Sequence, residues 1–249
     1  MQSADDRDRL LALGAPADRV EIAGSAKYDI GPTAPTAEAR ACALLAKLGV
    51  KPGHPVLVGG STWAGEEEFL LDFYSEAKPL HPGLILVLVP RHAERREEVL
   101  EAVRRRGLSV IQRSQFPDGA ASPETRPDAL LGDTTGELRG LYAAADVALG
   151  DKRLTQTGGQ NPIEPARDGK PVVVGPHMEN FAAIAKDFAD ARAWVQATDA
   201  ADLKAHLLKL LGSAAERSRL GRAAAELVAR QAGATRRMAE RVLVARQMG

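Results

Sequence analysis

Arg91 follows a run of six apolar residues, Leu84–Val89, and Pro90. A guanidinium at the end of a buried strand can make paired hydrogen bonds to a phosphate or carboxylate. Ser61 and Thr62, which follow a second apolar run at Val56–Gly59, would be its neighbours. The same arginine could instead cover the sheet end and pair with a glutamate. A second constellation is Thr157–Phe181, TGGQNPIEPARDGKPVVVGPHMENF. Here Asn161 can serve as N-cap, Pro162 suits the first helical position, and Glu164 falls at the third, in the positive end of the helix dipole. Gly158 and Gly159 allow close backbone approach, and the N–H groups of the new turn suit a nucleotide phosphate. Asn-x-x-Glu is equally a plain capping box. A third, Thr134-Thr135-Gly136-Glu137, also matches a capping box, yet Gly136 in the first turn is a residue that a cap alone does not need.

Other polar residues have simpler explanations. Glu66, Glu67 and Glu68 occupy a first helical turn, where negative charge counters the dipole. Arginines 95, 96, 104, 105 and 106 read as a solvated helix face. His92 and His177 lie in loops without an obvious carboxylate partner and are not assigned a catalytic role. The single Cys42 sits in an Ala/Leu-rich helical pattern and reads as a small core residue. There is no G-x-G-x-x-G after the first strand, no G-x-x-x-x-G-K-[ST], and no cluster with metal-ligand spacing, so no metal or cofactor is expected.

These residues must be positioned by alternating elements. A lead-in of residues 1–35 contains a short helix, Asp5–Leu13, a strand at Arg19–Ile22, and a loop carrying Lys27. Residues 36–249 form the domain proper. Helix Thr36–Leu48 leads into strand Val56–Gly59, helix Gly65–Ala77, strand Leu84–Val89, helix Glu94–Arg106 and strand Leu108–Ile111. After a Ser/Pro-rich connection at 113–127, the best candidate for a moving loop, come strand Ala129–Leu131, helix Glu137–Ala145 and strand Val147–Leu149. Strand 171–175, helix Phe181–Ala189, a strand near Trp194 and three closing helices complete the pattern. Such alternation predicts an α/β fold: a Rossmann-like parallel sheet with helices on both faces, and ligands outside the carboxyl ends of the strands.

Composition narrows the functions further. Lys plus Arg equals Asp plus Glu at 33 each, so no net field favours nucleic acid. The amino terminus has no apolar run of signal-peptide length, and no segment approaches the roughly 20 apolar residues of a membrane span.

Six ordered motifs, GSAKYD (24–29), GGSTWAGEEE (59–68), PRHAER (90–95), DTTGEL (133–138), GGQNPIEPA (158–166) and GPHMENF (175–181), resemble the carboxyl-terminal half of the 3-deoxy-D-manno-octulosonic acid (Kdo) transferases. The resemblance implies a GT-B glycosyltransferase architecture in which this half takes the donor, CMP-Kdo, and an amino-terminal domain takes the lipid A precursor at the cytoplasmic face of the inner membrane. It implies that Pro90, Arg91, Thr135, Gly136, Glu137, Asn161, Pro162, Ile163 and Glu164 contact CMP, with Lys27, Ser61 and Thr62 near the sugar or phosphate. The family's general base, a glutamate, and its membrane anchor belong to the other half, so this chain alone is expected to bind donor but transfer poorly. Where the family has Gly-Gly-Ser after strand 147–149, this chain has Gly150-Asp151-Lys152, and Gln160 and Trp63 stand where histidines are frequent. A related sialic-type donor stays open. So do a non-catalytic nucleotide-sugar binding module and another GT-B enzyme such as a nucleotide-sugar epimerase.

Overall fold

Strict alternation along the strands decides how the chain folds. In β1 (Val56–Thr62), Leu57 turns to one side and Val56 and Val58 to the other; in β2 (Ile85–Pro90), Leu86 and Leu88 oppose Ile85, Val87 and Val89. Both sets are buried, so each face of the sheet must be covered by helices. A computed structural model describes residues 1–150 and 161–248 and shows this arrangement. With β3 (Val110–Gln112), β4 (Ala129–Leu131), β5 (Val147–Gly150), β6 (Val172–Val174) and β7 (Val195–Gln196), the strands form one sheet of order β3-β4-β2-β1-β5-β6-β7. Every pairing is parallel. All carboxyl ends therefore lie at one edge, and the chain's direction across the sheet reverses between β1 and β5.

One face is covered by α3 (Glu66–Ala77), α4 (Arg96–Arg105) and α8 (Ala200–Gly212), whose Leu70, Val103 and Leu207 are wholly buried. On the other, α2 (Pro35–Lys47) and α5 (Leu138–Ala143) cover the centre. Beside them α6 (Ile163–Arg167), α7 (Ala182–Asp190) and α9 (Ala214–Gln231) cover β6. The peripheral α1 (Ala4–Ala12) and α10 (Ala234–Met248) complete the chain. Among the described residues no helix is long and apolar enough to cross a membrane.

Three sequence expectations are corrected. Arg19–Ile22 forms no strand; a 3-10 turn covers 17–19, and Ile22 is exposed, with no neighbouring strand to pair with. β1 runs past Gly59 to Thr62, so Ser61 and Thr62 belong to the strand and not to a loop. Cys42 is exposed on α2, because the buried stripe of that helix falls on Ala41, Leu44 and Leu45. The 113–127 connection is anchored near its end, where Arg126 donates to the carbonyls of Pro82, Gly83 and Leu84 at 2.6–2.9 Å.

The residues before α2 are stitched to the rest of the fold through polar side chains. Tyr28 is fully buried, and its hydroxyl donates to Asp187 at 2.9 Å. Asp29 accepts the Gly233 and Thr235 N–H groups at the start of α10, both at 2.5 Å.

Two predictions follow from the packing. A Cβ at Gly221 of α9 would lie 1.9 Å from the Gly169 carbonyl oxygen, a backbone atom that cannot turn aside. Gly221→Ala should cost about 2 kcal/mol or more and lower the melting temperature by about 5 °C in a thermal scan. Asp128, at the amino edge of the sheet, accepts from Lys78 at 2.5 Å and from Tyr74 and Ser109 at 2.9 Å. Burial pushes its pKa up, but these bonds outweigh burial and hold it below the ordinary 3.8. A depressed carboxylate stabilises the fold above its unfolded value and loses that contribution as pH falls through the folded value. Denaturant titrations should show Asp128→Asn less stable at neutral pH by about 1–2 kcal/mol, with the gap closing below pH ~4.

Candidate functional site

At the carboxyl edge the central strand is deformed. Pairing between β1 and β2 slips between Gly60 and Thr62, and Ser61, at φ 55°, takes up the extra residue. This β-bulge re-aims the end of the strand at the cost of a left-handed backbone on a non-glycine residue. At Gly60 just before it a side chain would push against α5, since a Cβ would lie 2.0 Å from the Tyr142 hydroxyl and 2.9 Å from Leu138. The first turns of α5 thus rest directly on the end of β1. The preceding loop, with Gly136 at φ 87° facing open space, is carried to the same place.

Arg91 continues the ladder after β2, its N–H donating to the Thr62 carbonyl at 3.0 Å. Its side chain is exposed, and the guanidinium makes no hydrogen bond or ion pair with any described residue. Next to it, the Trp63 and His92 rings meet edge to face with centroids 5.0 Å apart. Thr135, Gly136 and Glu137 line a groove of about 530 Å³ together with Arg40, Arg113 and Asp118; Arg91 and Glu164 are not part of its lining. Lys27 lies 4.1 Å from the centre of the Phe181 ring, in the loop that follows β6.

No family model matches the chain. It is 36% identical over 239 residues to the 3-deoxy-D-manno-octulosonic acid transferase of Bordetella pertussis, which covers 95% of this chain and 54% of that one. The enzyme of the same name from Haemophilus influenzae is 31% identical over 236 residues, 92% of this chain and 52% of its own length. A solved structure, the C-terminal CMP-Kdo binding domain of WaaA from Acinetobacter baumannii, superposes with a TM-score of 0.69 at 29% identity, covering 78% of this chain and 98% of that domain. The chain resembles the carboxyl-terminal half of the Kdo transferases. It spans about half the length of the curated relatives it matches. Its fold is that of GT-B glycosyltransferase carboxyl-terminal domains, and Anabaena Alr3699/HepE in complex with UDP shares that fold at 15% identity and a TM-score of 0.61.

Against the Kdo transferase expectations, the structure brings Pro90, Arg91, Ser61 and Thr62 together at the ends of two adjacent strands. Pro90 is buried, and the Thr62 hydroxyl is spent, donating to Glu67 at 2.8 Å. Ile163 is fully buried in the core, and its N–H is already accepted by Asn161 Oδ1 at 3.1 Å; Pro162 is buried beside it, while Asn161 and Glu164 stay partly open. Gly158, Gly159, Gln160, Asp151 and Lys152 lie outside the described residues.

The electrostatics differ from the simple reading in four places. Thr134 and Glu137 form no capping box: Glu137 sits at the N-cap, and the Thr134 hydroxyl donates to its carboxylate. Glu66 and Glu67 are buried at 4% and 1% exposure, so they do more than face a dipole. Glu67 accepts both N–H arms of Arg95, at 2.8 and 3.2 Å, and Arg106 donates to Asp72 at 2.6 Å, which removes two arginines from the solvated face. Burial pushes the Glu67 pKa up despite Arg95 and Thr62; Arg95 is lowered by burial, but its bonds to Glu98 and Glu67 together raise it. The carboxylate is the better guide to the pair, since Glu98 contributes to the arginine alone. Both histidines do have carboxylate neighbours two residues on, His177 to Glu179 at 3.1 Å and His92 to Glu94 at 3.7 Å.

Arg113 was missed by the sequence reading. It follows β3 as Arg91 follows β2, and that shared position was the available signal. It is nearly buried, contacts both Glu137 carboxylate oxygens at 3.0 Å, and reaches Asp118 at 2.6 Å and the Phe116 carbonyl. Arg113→Ala should lower stability by about 1–2 kcal/mol, discounted for the exposure of Asp118 and part of Glu137. Limited proteolysis should then cut faster within 113–127; an unchanged cleavage rate would count against the anchoring role.

Proposed function

We propose that the chain is the donor-binding part of a glycosyltransferase that moves Kdo from CMP-Kdo to a lipid A precursor in lipopolysaccharide synthesis, with residues 36–249 as the donor unit. The observation that carries this reading is Arg91, a guanidinium without an acidic partner among the described residues, beside the deformed end of β1 where the sheet's winding reverses. The likeness to the WaaA CMP-Kdo binding domain supports the choice of nucleotide sugar.

In this reading Arg91 meets the phosphate of CMP, Thr135 and the open backbone at Gly136 add polar contacts beside it, and Glu164 accepts from ribose hydroxyls. Glu137 keeps its carboxylate on Arg113 and serves the loop's shape more than the ligand. Asn161 frames Glu164 by fixing the turn at Ile163, while Pro90, Pro162 and Ile163 contribute backbone only. Ser61 and Lys27 lie toward the sugar. The acceptor hydroxyl attacks the anomeric carbon, a new carbon–oxygen bond forms as the bond to phosphate breaks, and CMP leaves with the bonding pair. The base that takes the hydroxyl proton and the surface that holds the lipid at the cytoplasmic face of the inner membrane come from outside these 249 residues.

Isothermal titration should show CMP binding, weakened about tenfold or more in Arg91→Ala. Absence of CMP binding at millimolar concentration, or equal affinity in the variant, defeats the assignment. A preference for UDP would point to another GT-B enzyme.

A further inference from the structure

Arg91 begins a stretch that is held at both of its ends by one small set of groups. At the start, its N–H donates to the Thr62 carbonyl at 3.0 Å; four residues on, Arg95 grips Glu67, which also accepts the Thr62 hydroxyl at 2.8 Å. The contacts close a ring running from Arg91 to Thr62, to Glu67, to Arg95 and back along the chain through 92–94. We infer that the buried pair Glu67–Arg95, acting through Thr62, is a positioning device that holds Arg91 at the carboxyl edge for its anionic ligand.

The physical case rests on what such a pair can and cannot do. A buried ion pair gains little net stability, because desolvation offsets the attraction; removing one partner is costly because a charge is left stranded. Glu67 is 1% exposed, and the Arg95 side chain 16%. Their geometry is nevertheless restrictive, since a forked guanidinium fixes both direction and distance to a carboxylate. Arg91 itself has nothing among the described residues to hold its side chain, so its aim depends on the backbone from which it springs. The bulge at Ser61 adjoins the same ring at Thr62, where a slip would otherwise move Thr62 and with it Arg91. This role deepens the nucleotide reading of Arg91 and rests on it.

The test has two arms. Glu67→Gln keeps the shape and an acceptor for Thr62 but removes the buried one of the two carboxylates that hold Arg95, leaving the exposed Glu98; Arg95→Gln removes the other partner and serves if the first variant does not fold. By hydrogen exchange, which needs no ligand, the Arg91 amide should exchange about tenfold faster or more in either variant than in wild type, while core amides of β2 are unchanged. By calorimetry, either variant should bind CMP about fivefold or more weakly, and the same substitution in an Arg91→Ala background should change affinity less than about twofold. Unchanged Arg91 exchange overturns the inference, as does an affinity loss of equal size in the Arg91→Ala background, the mark of a merely structural role. If wild type binds no CMP but Arg91 exchange still rises in the variants, the nucleotide assignment falls while the positioning role stands.

Discussion

A side chain at position 60 would have to displace Tyr142, whose hydroxyl would lie 2.0 Å from a Cβ there, so glycine is what lets α5 settle onto the end of the central strand as it does. Gly140 makes the same kind of concession on the other side of the helix, where a Cβ would lie 2.5 Å from the Ala37 carbonyl of α2. A six-residue helix has little intrinsic stability, and α5 is held by being clasped between β1 and α2. That clasp sets where the 133–137 loop stands relative to Arg91. The sheet supplies the rest, since parallel pairing throughout brings each strand's polar sequel to one edge.

The two arginines that follow strands at this edge show how position and partner divide the work. Arg113 and Arg91 each succeed a strand, β3 and β2. Arg113 faces Glu137 and Asp118 and is consumed in holding a loop, with the Glu137 bond foremost in raising its pKa. Arg91 faces no carboxylate among the described residues. With no described residue paired to its charge, a phosphate arriving at the strand end adds attraction without displacing any of those residues. The difference lies in the neighbours brought by folding, and no pattern local to either arginine contains it.

That contrast explains how far the sequence could be read. The periodic elements were legible because burial acts on each separately: Leu84–Val89, Ala129–Leu131 and Gly65–Ala77 were found within a residue of their observed bounds. So was the meeting of Arg91 with Ser61 and Thr62, which parallel pairing of β1 and β2 carries to one edge. The misreadings share a different cause. Glu67 looked like a dipole-facing surface residue and Arg95 like a solvated one, and each is buried because the other is there, 28 positions away. Cys42 was placed one position off the buried stripe of α2. Arg19–Ile22 had a strand's composition but no sheet edge beside it. Single-residue patterns carry propensity; they do not carry the partner.

Where the local rules are broken, they are broken together. Ser61 has a left-handed backbone, Glu66 and Glu67 are carboxylates inside the protein, and Gly59 and Gly60 weaken a central strand, all within nine residues at one end of β1. Each carries a cost of its own, and a chain selected for stability alone could relieve several of them with ordinary apolar residues. The opposite end of the same strand shows no such feature: Val56, Leu57 and Val58 are fully apolar and regularly paired. A gradient from relaxed to strained along one strand is what results when the amino end serves only the core and the carboxyl end must also hold a charge in place. The strain and an Arg91 without a side-chain partner among the described residues are therefore two aspects of one arrangement, and they meet at Thr62, whose carbonyl accepts from Arg91 and whose hydroxyl donates to Glu67.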